Sequence, residues 1–448
     1  MLATCRGLDA AGYEVSAVAF RGLASGQWSR HCSDRLRVTD PRASASRFVA
    51  DLRRYLEHRP CAMLVPGSDF SLFAVSKRRE ALDGLTRLGL PSHQVVERSF
   101  NREVLAAAAG RAGLTPAPAV RCGTVDEAIV AAGRFGYPVL MKSISTVRDL
   151  GDVVLAGPNT MRITDESELR AAVPLYGSAW LVQQMAHGRT LSFGGVMAGG
   201  RLIGVAVSRY LRTWPPQAGN VAFSVTIEPP PGLEAGVQAL LRDVGWEGMF
   251  ELELIEDGQG AITPIDLNPR PYGSMALAIA SGANLPGLWC DWVLGRGHRP
   301  VSAGSGPGAC AGPVSVAAAV TAAAAVPAAV AVPAVVAVPA AVAVPAAAAA
   351  VATATAVASS EPVSPAASNL GVPARAQPGR HYRWEDADLR HLLWQLRRRH
   401  WRAASRALRP WPHVVHAHFR VSDPLPLLVR MLVLAAGKIR ARLLALSP

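Results

Sequence analysis

The run Gly248-Met-Phe-Glu-Leu-Glu-Leu-Ile-Glu-Asp-Gly-Gln-Gly-Ala-Ile-Thr-Pro-Ile-Asp-Leu-Asn-Pro-Arg270 constrains the fold of this chain more than any other stretch. Apolar and polar residues alternate on both sides of a turn over Asp257 to Gly260, so the run reads as two strands joined in a hairpin. Alternation places Glu251 and Glu253 on one face of the first strand, and Asp266, Asn268 and Arg270 on one face of the second. Ordinary surface hairpins also alternate charge, but here Phe250, Leu252, Leu254, Ile265 and Leu267 supply a continuous apolar opposite face, which argues for a half-buried sheet. If the turn brings the two charged faces into register, carboxylates, an amide and a guanidinium converge. Mg²⁺ takes oxygen ligands, usually one or two carboxylates plus nucleotide phosphates. Glu253, Asp266 and Asn268 suit that role, and Arg270 suits a phosphate or acyl-phosphate oxygen.

Around the hairpin the chain reads as α/β. Leu2 to Gly12 is expected to be a helix and Tyr13 to Phe20 a strand. Open parallel sheets are normally entered through a strand, so the front sheet is expected to lack its first one. A helix over Ser44 to His58 and a buried strand at Cys61 to Val65 follow, and the turn Pro66-Gly-Ser-Asp69 lies where open sheets hold ligands. Asp69 would serve equally well there as a helix N-cap. A helix from Asn101 ends at Gly113, Leu114-Thr-Pro-Ala-Pro118 forms a stiff linker, and a second unit begins. It holds a helix near Val125 to Phe135, strands at Tyr137 to Lys142 and Trp180 to Gln184, further strands between Leu191 and Ile227, and a helix from Gly232 to Gly245.

The net charge of +13 is concentrated at one end, because from Arg375 onward 15 Arg or Lys face 4 Asp or Glu. Only +2 remains for residues 1–374, so no specific nucleic-acid partner is expected for the main body. Between Arg299 and Glu361 there is no charged residue, and prolines at 327, 333, 339 and 345 interrupt an Ala/Val repeat. This composition reads as a disordered or semi-extended spacer rather than a membrane span. Beyond it, Leu389 to Leu408 and Leu425 to Leu446 read as basic amphipathic helices carrying Trp394 and Trp401. Residues 380–448 would rest equally well against an anionic membrane surface or docked on the main domain. The six cysteines are scattered without a CxxC pair, and Met1 to Asp9 carries no secretory pattern, so a cytoplasmic location is expected, peripheral to the inner membrane face if the tail binds lipid. His413, His416 and His418 have no acidic or cysteine partner at ligand spacing.

The acid-bearing hairpin, with Gly136-Tyr-Pro-Val-Leu-Met-Lys142, Leu181-Val-Gln-Gln-Met185 and Arg209-Tyr-Leu-Arg-Thr-Trp-Pro-Pro-Gln-Ala-Gly219, resembles the ATP-grasp superfamily in its carbamoyl-phosphate-synthase-like, carboxylate-amine ligase branch. The resemblance spans about Arg98 to Gly295, and residues 2–97 resemble the family's N-terminal Rossmann-like domain. It implies that Glu253, Asp266 and Asn268 hold Mg²⁺ (or Mn²⁺), with Glu251 open as the alternative first ligand, and that Arg270 meets the phosphates. Lys142 would also contact phosphate; only three lysines occur among the 46 basic residues, which makes this one notable. Gln183, Gln184 and Met185 would line the adenine site, and Arg212 would steady phosphate or an acyl group. The sequence departs from the family's pattern where Arg102 replaces a lysine, Asp266 a glutamate and Gln184 an acid, and where the phosphate lid Ser143 to Gly151 has a single glycine.

The implied organisation is a front α/β domain over residues 1–98, an ATP-grasp domain over 99–296, a disordered linker over 297–378 and a basic helical tail over 379–448. The implied activity is that of an ADP-forming ligase, using ATP and Mg²⁺ to activate a small-molecule carboxylate as an acyl phosphate for capture by an amine. The alternative is a non-catalytic ATP-binding protein, tethered to a membrane by its tail.

Overall fold

The computed structural model describes residues 1–20, 24–216, 219–296, 314–320 and 372–446. The helix Leu2–Ala10 packs beside the strand Tyr13–Ala19, which belongs to a parallel sheet ordered Asp34–Arg37, Tyr13–Ala19, Val314–Val320, Met63–Pro66. No described strand precedes Leu2–Ala10. The interior position between Tyr13–Ala19 and Met63–Pro66 is taken instead by Val314–Val320, with Val15 opposite Val316 and Val316 opposite Met63. Left vacant, that slot would expose unpaired backbone groups on both flanking strands, and an uncharged Ala/Val segment suits a strand covered on both faces.

The boundary expected for the spacer is therefore corrected. Residues 314–320 and 372–378 are described and belong to the folded body, the latter through Ala374–Arg375, which pairs with the strand Arg201–Trp214. The Pro-interrupted repeat lies outside the described residues.

The large sheet runs Ile262–Asn268, Gly248–Glu256, Arg189–Ala198, Arg201–Trp214, Asn220–Thr226, His381–Arg383, Val414–His416. On one face, Phe250, Leu252 and Leu254 pack with Leu233, Val237, Leu240 and Leu241 of the helix Leu233–Val244 in the main core. The other face carries the hairpin's acids, while Val196, Ala206 and Met249 on it join a second apolar cluster. A separate antiparallel sheet, ordered Ala119–Cys122, Trp180–Gln184, Val139–Ser143, Met161–Ile163, brings up Lys142. Its core is Cys122, Val139, Met141, Trp180 and Val182 against the helix Val125–Phe135.

The basic tail is not a purely helical appendage. His381–Arg383 and Val414–His416 extend the large sheet, and the helix Glu385–Arg397 packs on the strand Arg201–Trp214. The expected helix 389–408 is broken at Arg399, whose φ of 58° is a left-handed conformation, and resumes as Trp401–Leu408. Asp423 closes the arrangement by accepting from Ser29 Oγ (2.6 Å), the Arg30 N–H (3.0 Å) and Arg6 Nε (3.0 Å) in the front domain. Of the two resting places read from the sequence, the described tail takes the docked one, and no described helix is long and apolar enough to cross a membrane.

Candidate active site

The hairpin register sets the site. Glu251 lies opposite Asn268 and Glu253 opposite Asp266, so the two charged faces share one side of the sheet. Beyond that pair the ladder slips and Leu254 meets Pro264, leaving Ile265 as the extra residue of a bulge. Ile265 is therefore not part of the regular apolar row expected from alternation. Its carbonyl accepts a hydrogen bond from Lys142 Nζ at 3.2 Å, which fixes the ammonium against the acidic hairpin.

Lys142 is 6 % exposed. Burial, reinforced by the neighbouring Arg102 charge, lowers its pKa to about 8, against the opposing pull of Asp266 and Glu253. Arg102 sits at the start of the helix Arg102–Arg111, donating to the Ser143 carbonyl (2.9 Å) and hydroxyl (3.1 Å) and meeting Asp266 at 3.4 Å. Burial pushes Glu253 up to about 8, helped by the adjacent Glu251 and Asp266 carboxylates. Glu251 is raised by burial too, and accepts from Ser192 Oγ (2.7 Å) and Asn268 Nδ2 (3.2 Å). Tyr210 donates to Glu253 at 2.9 Å; burial and both glutamates hold its phenol well above the usual range, so it remains a donor. Residue 194, opposite Glu251, is glycine, since a Cβ there would fall 1.9 Å from the Tyr272 phenol oxygen.

Arg270 joins this cluster through Asn268 Oδ1 at 3.0 Å, and its guanidinium is held bidentately by Asp69 at 2.5 and 3.2 Å. Both readings of Asp69 are thereby refined, since Ser68 is the N-cap and Asp69 positions Arg270. Gln183 lies opposite Leu140, on the same sheet face as Lys142; Gln184 donates its N–H to the Pro118 carbonyl, and Met185 follows just past the strand. Arg212 is engaged elsewhere, in a bidentate pair with Asp388 of the tail at 2.6 and 2.9 Å, so the expectation that it is free to steady a phosphate is corrected. The Ser143-to-Gly151 lid takes the form of a hairpin of Val147–Asp149 and Val154–Ala156 tied to the front domain. Asp149 pairs with Lys77, while Asp152 accepts from Ser44 Oγ (2.6 Å) and meets Arg78 at 3.0 Å.

Sequence reasoning missed Tyr210, Ser192 and Asp388 as partners of site residues. Tyr210 was legible in principle, within the Arg209-to-Gly219 motif and on the same strand as Arg212. Asp388 carried no signal, because its partner is about 176 residues away in the chain.

Two carboxylates, Glu253 and Asp266, an amide and adjacent cations form a donor set suited to a partly hydrated Mg²⁺ shared with phosphates. Among the described residues no three Asp, Glu, His or Cys side chains form a closed metal cage. The fit to a nucleotide-borne cation rests instead on the crowded carboxylates, where burial and then mutual repulsion raise Glu253, and on the buried Arg102 Nε–H, which has no partner among the described residues.

No family model matches the chain. A curated relative, the arginine-specific large chain of carbamoyl phosphate synthase from Eremothecium gossypii, is 38 % identical over 68 residues, which is 15 % of this chain and 6 % of that one. The biotin carboxylase domain of Hydrogenobacter thermophilus 2-oxoglutarate carboxylase, solved with Mg-ADP and bicarbonate, superposes with a TM-score of 0.51 at 17 % identity, covering 67 % of this chain and 68 % of that one. Biotin carboxylase from Campylobacter jejuni gives 0.51 at 14 % identity, covering 67 % and 69 %. Staphylococcus aureus N5-carboxyaminoimidazole synthetase with ADP gives 0.50 at 13 %, covering 66 % and 74 %. The chain has the ATP-grasp fold.

Proposed function

We propose that this chain is an ATP- and Mg²⁺-dependent (or Mn²⁺-dependent) ligase that activates a small-molecule carboxylate as an acyl phosphate for capture by an amine. The observation that carries the reading is the meeting of Lys142 with the Glu253–Asp266 pair across two sheets, the ammonium bound to the bulged Ile265 carbonyl. A divalent ion, when bound, would neutralise phosphate charge beside Glu253, Asp266 and Asn268. Lys142 and Arg102 present donors to phosphate oxygens, and burial strengthens them because little water competes. Arg270, held by Asp69, Asn268 and the Pro271 carbonyl, is oriented before substrate arrives, and its remaining Nη1–H and its charge can meet the charge spread over a transferring phosphoryl group. Gln183, Gln184 and Met185 are assigned to the adenine edge.

The general ligase reaction is supported by the neighbours in structure, which include a biotin carboxylase domain with Mg-ADP and an N5-carboxyaminoimidazole synthetase with ADP. Cytoplasmic residence is part of the proposal, consistent with the free buried cysteines described. The second reading, a non-catalytic ATP-binding protein, is favoured by one observation: the lid hairpin is tied down by Lys77, Arg78 and Ser44 rather than built from flexible glycines.

The test has two stages on the full chain. Mg-ATP should raise the melting temperature, and phosphate release should then appear for at least one carboxylate and amine from a panel. Stabilisation with no release across the panel would move the assignment to the non-catalytic reading. Neither response would overturn both.

A further inference from the structure

Two residues past Tyr210, about 7 Å along the strand, Arg212 and Thr213 line an open surface pocket that the phosphoryl-transfer chemistry does not use. It measures ≈ 730 Å³ and lies between Leu211, Thr213 and Pro216 on one side and the tail helices on the other. Arg399, Arg402, Arg406, His400, Trp394 and Trp401 contribute to its wall. Asp388, on the same helix as His391 and Trp394, is already shared by Arg212 and Arg383. Among the described residues none of Arg399, Arg402 and Arg406 has a carboxylate partner, so the pocket holds uncompensated positive charge.

Its histidines are ordered by a relay whose ends fix the tautomers. His391 Nδ1 lies 3.1 Å from the Thr213 carbonyl, which can only accept, so His391 donates there. Its Nε2 then accepts from Gln395 Nε2 at 3.1 Å, and the Gln395 carbonyl accepts from His400 Nδ1 at 3.0 Å. His400 Nε2 is left as a lone-pair acceptor at the pocket wall, placed for a ligand hydroxyl or N–H rather than for the anionic group. The sharp corner at Arg399, φ 58°, is held by its own N–H to the Leu396 carbonyl and by the His400 N–H to Gln395, and it delivers Arg399 and His400 to the pocket together. Trp401 stands 64 % exposed beside them, an apolar face that a ring could cover.

We infer that this pocket binds a small molecule carrying a planar aromatic group and a carboxylate or phosphate, anchored by Arg399 and Arg402 and stacked on Trp401. Resting on the ligase reading, the molecule is one of the two substrates, held by a part remote from the reacting group. Spending binding energy on such a remote part positions the reacting end.

Phenyl phosphate is the probe, titrated into full-length protein without nucleotide and followed by tryptophan fluorescence, with inorganic phosphate as the ring-free control. Saturable binding of phenyl phosphate is expected, weakened about tenfold or more in an Arg399→Glu/Arg402→Glu variant. Trp401→Ala should weaken phenyl phosphate but leave inorganic phosphate unchanged. Circular dichroism and the thermal melt verify that each variant is folded. Absence of saturable binding, or equal affinity in the charge-reversed variant, overturns the proposal. So does a response confined to vesicles of phosphatidylcholine with phosphatidylserine, which would make the patch a lipid contact. Turnover with no phenyl phosphate binding removes the pocket alone, whereas pocket binding without Mg-ATP stabilisation removes the ligase reading and leaves an anion site.

Discussion

Lys142→Met should separate stability from function. In the folded chain the ammonium is 6 % exposed and its pKa falls from an ordinary 10.5 to about 8, first through burial and then through Arg102. At roughly 1.4 kcal/mol for each tenfold change in proton affinity, that displacement is a folded-state penalty of about 3 kcal/mol at neutral pH. Methionine of similar length removes the charge but also the hydrogen bond to the Ile265 carbonyl, a loss of about 1 kcal/mol. The nucleotide-free variant is therefore expected to be more stable by about 2 kcal/mol, read by urea unfolding at pH 7, while its melting temperature no longer responds to Mg-ATP. The sign of the pH effect is fixed by the direction of the shift. A lysine lowered in the folded state carries its full penalty below about 8, and that penalty fades as pH rises from about 8 to 10.5, where the folded chain has released a proton that the unfolded chain still holds. The gap between variant and parent should close across that range. A variant less stable than the parent without nucleotide, or a gap independent of pH, would show that Lys142 is not held against a desolvation cost.

Asp388→Asn leaves Arg212 and Arg383 without their shared carboxylate, and because all three side chains are largely buried the loss is expected to be roughly 3–5 kcal/mol, seen as faster hydrogen exchange over residues 381–397. A change under about 1 kcal/mol would mean that the tail docks by other contacts. Burial alone would raise Glu385, but His416, His418 and the Phe419 N–H override it and hold its carboxyl well below its ordinary 4.5. That contribution is complete above 4.5 and is lost as pH falls towards the folded value, so tail tryptophan fluorescence should change progressively in acid and Glu385→Gln should flatten the change. Ala317→Pro removes an N–H from the interior of the front sheet, opposite Ser16 and Leu64, and should lower stability by about 1–3 kcal/mol with new proteolytic cuts in the front domain; an unchanged melt would refute the interior placement of Val314–Val320.

The sequence alone determined most of the elements before residue 296 and much of the acidic ribbon. Period-two alternation made Gly248–Glu256 and Ile262–Asn268 strands with their charges on one face, and hairpin closure needs only local turn chemistry. The helix starts near Ser44 and Val125 were legible for the same reason, because a cap and its helix are neighbours in the chain. The tertiary structure decided what depends on distant partners. The one-residue bulge leaves the Ile265 carbonyl to Lys142 of the other sheet, and alternation cannot reveal it. Asp69 on Arg270, Asp388 on Arg212 and Asp423 on Arg6 are pairings between segments far apart in the chain, set by packing rather than by local pattern. The interior strand Val314–Val320 is the clearest case, since an Ala/Val run reads as spacer until two flanking strands offer it unpaired backbone on both sides.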